Sequence, residues 1–231
     1  MKRFKQLLSC LLMFAMVSSI APTVAFAAED SITLNNDKFL AAIGTPAVDA
    51  IKISTAEELS NIKSGNYVLA NDIDLSTFNG GEWIPIEPDG NIEIDGQGHI
   101  ISNLVISECD SQSSPGLIGR VHSYDVILKN IGIENINIPS GGAFIGLYYN
   151  DGGDVNIGEF NPTYEATTKL VIDNCYAFGS VGPYAYYGYG GMLIGKISNE
   201  SGDYEPGFKT RRAYTNVEIK SCYVSGNVNG S

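Results

Sequence analysis

An irregular apolar spacing of two, three and two residues occurs three times in this chain. It falls at Val126, Leu128, Ile131 and Ile133, at Leu170, Ile172, Cys175 and Ala177, and at Val217, Ile219, Cys222 and Val224. Ile101, Leu104 and Ile106 fit its last three positions, with His99 in the first, making four copies of one unit. Such a recurrence constrains the fold more than composition does, because a unit that cannot bury its own apolar face must stack on its neighbours. Steps of two keep side chains on one face of a strand, whereas a step of three turns the inward face outward unless the chain bends there. The residue before the third apolar position is Asn103, Asn130, Asn174 or Ser221, a small polar side chain of the kind that bonds turn backbone. Stacking is expected to align these four into a ladder, beside a buried column of Leu104, Ile131, Cys175 and Cys222.

Between these copies lie Gly116-Leu117-Ile118-Gly119, Ala143-Phe144-Ile145-Gly146 and Met192-Leu193-Ile194-Gly195, each a short apolar strand closed by glycine. From Leu104 to Ile131 is 27 residues, one turn of a solenoid, and the next steps of 44 and 47 leave 148–168 and 198–216 as inserted surface loops. The pattern predicts an all-β fold, a right-handed parallel β-helix of about five coils. Ser54-Thr55-Ala56-Glu57-Glu58-Leu59 reads as a capping box that opens a short helix over the first edge, before a first strand at Tyr67. The expected organisation is a signal peptide at 1–27, a flexible lead-in at 28–50, an N-terminal cap at 51–66 and β-helix repeats over 67–231.

The first segment carries Lys2, Arg3 and Lys5 ahead of an apolar run from Leu7 to Ile20 and ends in Ala25-Phe26-Ala27, the layout of an export signal cut before Ala28. Leu7-Leu8-Ser9-Cys10 loosely resembles a lipoprotein box, but the apolar run continues well beyond Cys10. Cleavage removes three of the 14 basic side chains and none of the 26 acidic ones, taking the net charge from −12 to −15. A surface of that sign repels nucleic acid and anionic lipid, and no membrane insertion is expected after cleavage. The expected location is secreted or cell-surface, with a glycan or a host or cell-surface protein as partner.

Gly65-Asn66-Tyr67-Val68-Leu69, Asp72-Ile73-Asp74-Leu75, Trp83-Ile84-Pro85-Ile86, Asp95-Gly96-Gln97-Gly98-His99 and the Gly-Leu-Ile-Gly elements resemble bacterial surface proteins carrying GLUG motifs, over residues 52 to 231. The resemblance implies a β-helix on secreted or cell-surface proteins, some adhesin-like and some attached to a metalloprotease that cleaves immunoglobulin A. The His-Glu-x-x-His of such a protease does not occur in this sequence, and Ala143 and Met192 replace the usual start of the motif.

Three cysteines follow the export signal, Cys109, Cys175 and Cys222. The odd number argues against a disulfide framework. Cys175 and Cys222 read as small buried hydrophobes, with a bridge between adjacent coils as the sharper alternative. No zinc spacing accompanies them, and no cofactor is expected. A carbohydrate-active enzyme of the pectin-lyase-like fold, lyase or glycosidase, would need Asp72, Asp74, Asp95 or His99 to converge on one outer groove. Asp95-Gly96 reads instead as a turn former, and His99 as part of a repeat column. The favoured reading is a noncatalytic module for adhesion, glycan binding or stalk-like display. Its ligand-binding residues are expected in tyrosine-rich loops, at Tyr148 and Tyr149 after one glycine-closed strand and at Tyr184, Tyr186, Tyr187 and Tyr189 before the next. Asp151-Gly152-Gly153-Asp154 offers a weaker calcium reading. Gly226 to Ser231 stops where another Gly-Leu-Ile-Gly element is due, so further repeats or a domain downstream are expected.

Overall fold

The computed structural model describes residues 47, 49–107, 114–151, 163–182, 190–200, 202–203 and 210–228. The segment expected to be an export signal, most of the expected lead-in and Cys109 lie outside them.

The apolar spacing becomes strands of a mainly parallel, all-β fold. The first sheet joins β1 (Ile51–Ile53), β2 (Gly65–Leu69), β4 (Ile92–Asp95), β7 (Val126–Lys129), β11 (Thr163–Asp173) and β16 (Thr210–Lys220) in that order, with the short β15 (Gly202–Asp203) antiparallel on β16. The second runs β3 (Ile73–Asp74), β5 (Ile100–Ser102), β8 (Gly132–Ile138), β12 (Tyr176–Val181) and β17 (Tyr223–Val228). The third holds β6 (Ile118–His122), β10 (Ile145–Asn150) and β14 (Ile194–Asn199), and β9 (Gly141–Gly142) pairs with β13 (Gly190–Gly191). From β7 onward the chain visits the first, second and third sheets in turn and then returns to the first. Ile94, Leu128 and Ile172 from the first sheet, Ile101, Ile133 and Ala177 from the second, and Ile118, Ile145 and Tyr148 from the third meet in one core, each essentially without exposure. A five-residue helix α1 (Ala56–Ser60) follows β1, its Thr55 side chain accepting from the Glu58 N–H and Glu58 accepting in return from the Ser54 N–H at 2.7 Å. The first strand is therefore β1, ahead of the helix and paired with β2 through Ile51↔Tyr67.

The bend at the step of three is a single left-handed residue, with φ of 56° at Asn130, 52° at Asn174 and 49° at Ser221, a conformation that asparagine tolerates better than most side chains. Asn174 Nδ2 donates to Asn130 Oδ1 at 2.8 Å, and Asn130 Nδ2 donates to the buried Asp95 Oδ1 at 2.9 Å. Asn103 belongs to a different ladder. Its partners are Asp74 Oδ1, to which its Nδ2 donates at 2.7 Å, and Asn135 Nδ2, from which it accepts at 3.3 Å. The register explains this, because Ile101 pairs with Ile133 and Ser102 with Glu134. Ile101, Leu104 and Ile106 thus match Ile133, Ile136 and Ile138, a second bend with the same three-two spacing, and Leu104 stands outside the Ile131 column. The step between these coils is 32 residues rather than 27. The Ile131 column continues through Cys175 and Cys222, with the Tyr176 N–H on the Ile131 carbonyl and the Tyr223 N–H on the Cys175 carbonyl. Both thiols are free, Cys175 buried and Cys222 half-buried.

The segments expected as loops contribute to strands. β11 and β16 pair over eleven residues, from Thr163↔Thr210 to Asp173↔Lys220. On the outer face of this first sheet, Asp95, Lys129, Asp173 and Lys220 stand in register and alternate in sign. Lys129 Nζ lies 2.6 Å from Glu93 and 3.8 Å from Asp95. Opposite charges on adjacent strands favour this register over a shifted one. At the last described coil, Val217, Ile219, Val224 and Val228 extend the buried columns yet are 41–50% exposed.

Candidate functional site

Alternation along the second sheet decides which side chains face outward. Ile73, Ile101, Ile133 and Ala177 point into the core, so their neighbours occupy the opposite face. These are Asp72 and Asp74 about β3, Ile100 and Ser102 on β5, Gly132 and Glu134 on β8, Tyr176 and Phe178 on β12, and Tyr223 and Ser225 on β17.

Three aromatic rings gather at one end of this face. Tyr176 and Phe178 have centroids 5.0 Å apart at 41°, and Phe178 meets Tyr223 at 5.6 Å and 75°, separations at which aromatic pairs attract. Tyr176 lies over Gly132 of the preceding coil, where a β-carbon would collide with its ring. Its hydroxyl donates to Glu134 Oε1 at 2.9 Å. Loss of water and the Glu134 and Asp72 carboxylates push its phenol well above the usual range. Phe178 and Tyr223 remain part-exposed and present the platform to solvent.

The other end is acidic. Asp72 Oδ1 accepts from the Ile100 N–H at 3.0 Å and lies 3.1 Å from His99 Nδ1. Asp74 accepts from Asn103 Nδ2 and, at 2.8 Å, from the Ser76 N–H, bonds that hold its carboxyl below the usual range. Asp72, Asp74 and Glu57 line a cleft of about 370 Å³ between α1 and β3, floored by Ile73 and Phe78. Asp95 is on the first sheet, buried among Asn130, the Gln97 N–H and Lys129. Of the four candidate catalytic groups, three gather on this face and Asp95 stands apart.

The tyrosines expected as ligand contacts fare differently. Tyr148 is a core residue rather than a loop residue: it is 0% exposed, in register with Val121 and Ile197, and its hydroxyl donates to the Tyr124 carbonyl at 2.6 Å. Burial, beyond what the Thr168 hydroxyl bond offsets, pushes its phenol up to about 12. No sugar reaches such a ring. Tyr149 is on β10 as well, 5.4 Å from the His122 ring, and His122 Nε2 is 3.1 Å from Asp151. Tyr184, Tyr186, Tyr187, Tyr189 and Asp154 lie outside the described residues. Among the described residues no group of three or more His, Cys, Asp or Glu is placed to hold a metal ion.

Sequence reading passed over Tyr176, Phe178 and Tyr223. The signal was present: a tyrosine directly follows Cys175 and Cys222 in two copies of the unit, one step out of phase with the buried column. No family model, curated protein or solved structure matches the chain.

Proposed function

We propose that the chain is a secreted, noncatalytic right-handed parallel β-helix that binds glycan on the outer face of its second sheet. The cyclic order of strands through three parallel sheets supports the solenoid, and α1 beside the first strands supports a cap. The apolar run at 7–20 and the resemblance to GLUG-motif proteins support export to the cell surface. One observation carries the binding reading: the part-exposed Phe178 and Tyr223 form an aromatic platform backed by the buried Tyr176, whose hydroxyl is bonded to the Glu134 carboxylate beside it. A pyranose ring has an apolar face and a hydroxylated rim, and amphipathic aromatics beside polar groups match both. Screening the purified chain on a glycan array finds the ligand, and titrating that ligand into Phe178→Ala and Tyr223→Ala tests the platform. Each variant is expected to weaken binding about tenfold, some 1.4 kcal/mol. A well-folded chain that binds no glycan overturns this reading and leaves stalk-like display.

A second reading, a glycosidase, draws on one observation. Asp72 and Asp74 line the same cleft two residues apart on an extended chain, which puts two carboxylates on one outer face, as glycoside hydrolysis requires. Such a pair needs a proton donor with a raised pKa, and the bonds from Asn103 and Ser76 move Asp74 the other way. Release of reducing ends from a bound glycan, abolished by Asp74→Asn, would favour this reading. Binding without turnover favours the first.

A further inference from the structure

The charges on this chain are sorted by sheet. The first sheet carries Lys52, Lys129, Lys169, Arg211, Arg212 and Lys220, of which Lys129, Arg212 and Lys220 have acidic residues in register, whereas none of β3, β5, β8, β12 and β17 contains a lysine or arginine. The second sheet's outer face instead combines Asp72, Asp74 and Glu134 with three aromatic rings. Glu134 is bonded directly to the Tyr176 hydroxyl, and the Asp72 charge is felt at the same ring.

We infer that this face selects glycans bearing free amino groups, polymers of de-N-acetylated amino sugar, over neutral and uronic acid polymers. The inference rests on the glycan-binding reading above. An ammonium over an aromatic face is attracted by the ring quadrupole, and neighbouring carboxylates add to that attraction. A uronate brought to the same place meets two or three like charges with no described lysine or arginine on these strands to offset them. A lysine-rich peptide shares the cation but fits the face less well. Tyr176 and Phe178 stand on β12, which is paired on both sides by β8 and β17, so a peptide backbone can join only at β17, the end strand of the described sheet, and lies there beside the rings rather than across them. A sugar ring needs no such edge.

The test titrates the purified full chain with oligomers of glucosamine, N-acetylglucosamine and galacturonic acid, and with polylysine, at low and high salt. The glucosamine oligomer is expected to bind about five- to tenfold tighter than its acetylated counterpart, a gap that narrows with salt. In Asp72→Asn/Glu134→Gln, which keeps an acceptor for the Ile100 N–H and the Tyr176 hydroxyl, the gap closes because the glucosamine oligomer loses more affinity than the acetylated one. Equal affinity for both oligomers, tighter binding of galacturonate, or equal binding of polylysine overturns the selectivity and leaves glycan binding intact. Failure of every sugar to bind a folded chain overturns both.

Discussion

Gly132 and Tyr176 occupy one site between them: the glycine leaves the gap on β8, and the ring from β12 fills it. Any side chain at 132 must displace the ring, and with it the hydroxyl bond to Glu134 and the contact with Phe178. Gly132→Ala is therefore expected to lower stability by about 1–3 kcal/mol through overpacking. It should also weaken glycan binding, although residue 132 touches no ligand. Thermal melts and a binding titration on the same sample check both effects.

Asn130 holds a bend and joins two coils. Asn130→Ala loses the bonds to Asp95 and Asn174, leaves a buried carboxylate short of a donor and puts a β-carbon at φ 56° without a compensating polar group. A loss of about 2–3 kcal/mol is expected. Asn130→Gly relieves the backbone but not the ladder, so denaturant unfolding should place it about 1 kcal/mol above the alanine variant.

Glu87 provides a pH signature. Burial raises its carboxyl pKa, only partly offset by the Arg120 N–H and by the Arg120 and Lys63 charges. A carboxyl raised in the folded state favours folding at acid pH, and that contribution is lost as pH rises from the ordinary value of 4.5 through the raised one. Glu87→Gln removes the titration and keeps an acceptor for Arg120. Its melting temperature relative to the parent should rise with pH above 4.5. A flat difference across that range would contradict the assignment.

Tyr148 separates packing from binding. Tyr148→Phe forfeits the bond to the Tyr124 carbonyl and should cost about 1 kcal/mol. Glycan affinity should be unchanged, as measured by the titration used for Phe178→Ala.

These residues also show how far the sequence can be read. Asn130, Asn174 and the Ile131-Cys175-Cys222 column were legible because turn chemistry and apolar spacing recur together. Asn103 was misaligned because the bend at Asn135 repeats the same three-two spacing, and the corner at Gly96-Gln97-Gly98 is longer than the single-residue bends it stacks on. Spacing alone cannot tell one bend from another; backbone pairing can. Tyr148 was read as a loop residue because Gly146 was taken to close its strand, whereas β10 continues to Asn150. The Asn150 side chain is fully buried and bonded to Thr168, Thr215 and the Tyr214 carbonyl. The aromatic platform assembles from coils 47 residues apart, a juxtaposition that depends on register and on the absent side chain at Gly132.

Mapping backbone amide shifts on the labelled chain while titrating a bound amino sugar oligomer tests the central claim most directly. The account predicts changes centred on Glu134, Phe178 and Tyr223, with the first sheet at Lys129 and Lys220 unmoved. Changes centred on Tyr149 and His122 of the third sheet, with β12 and β17 silent, would contradict it.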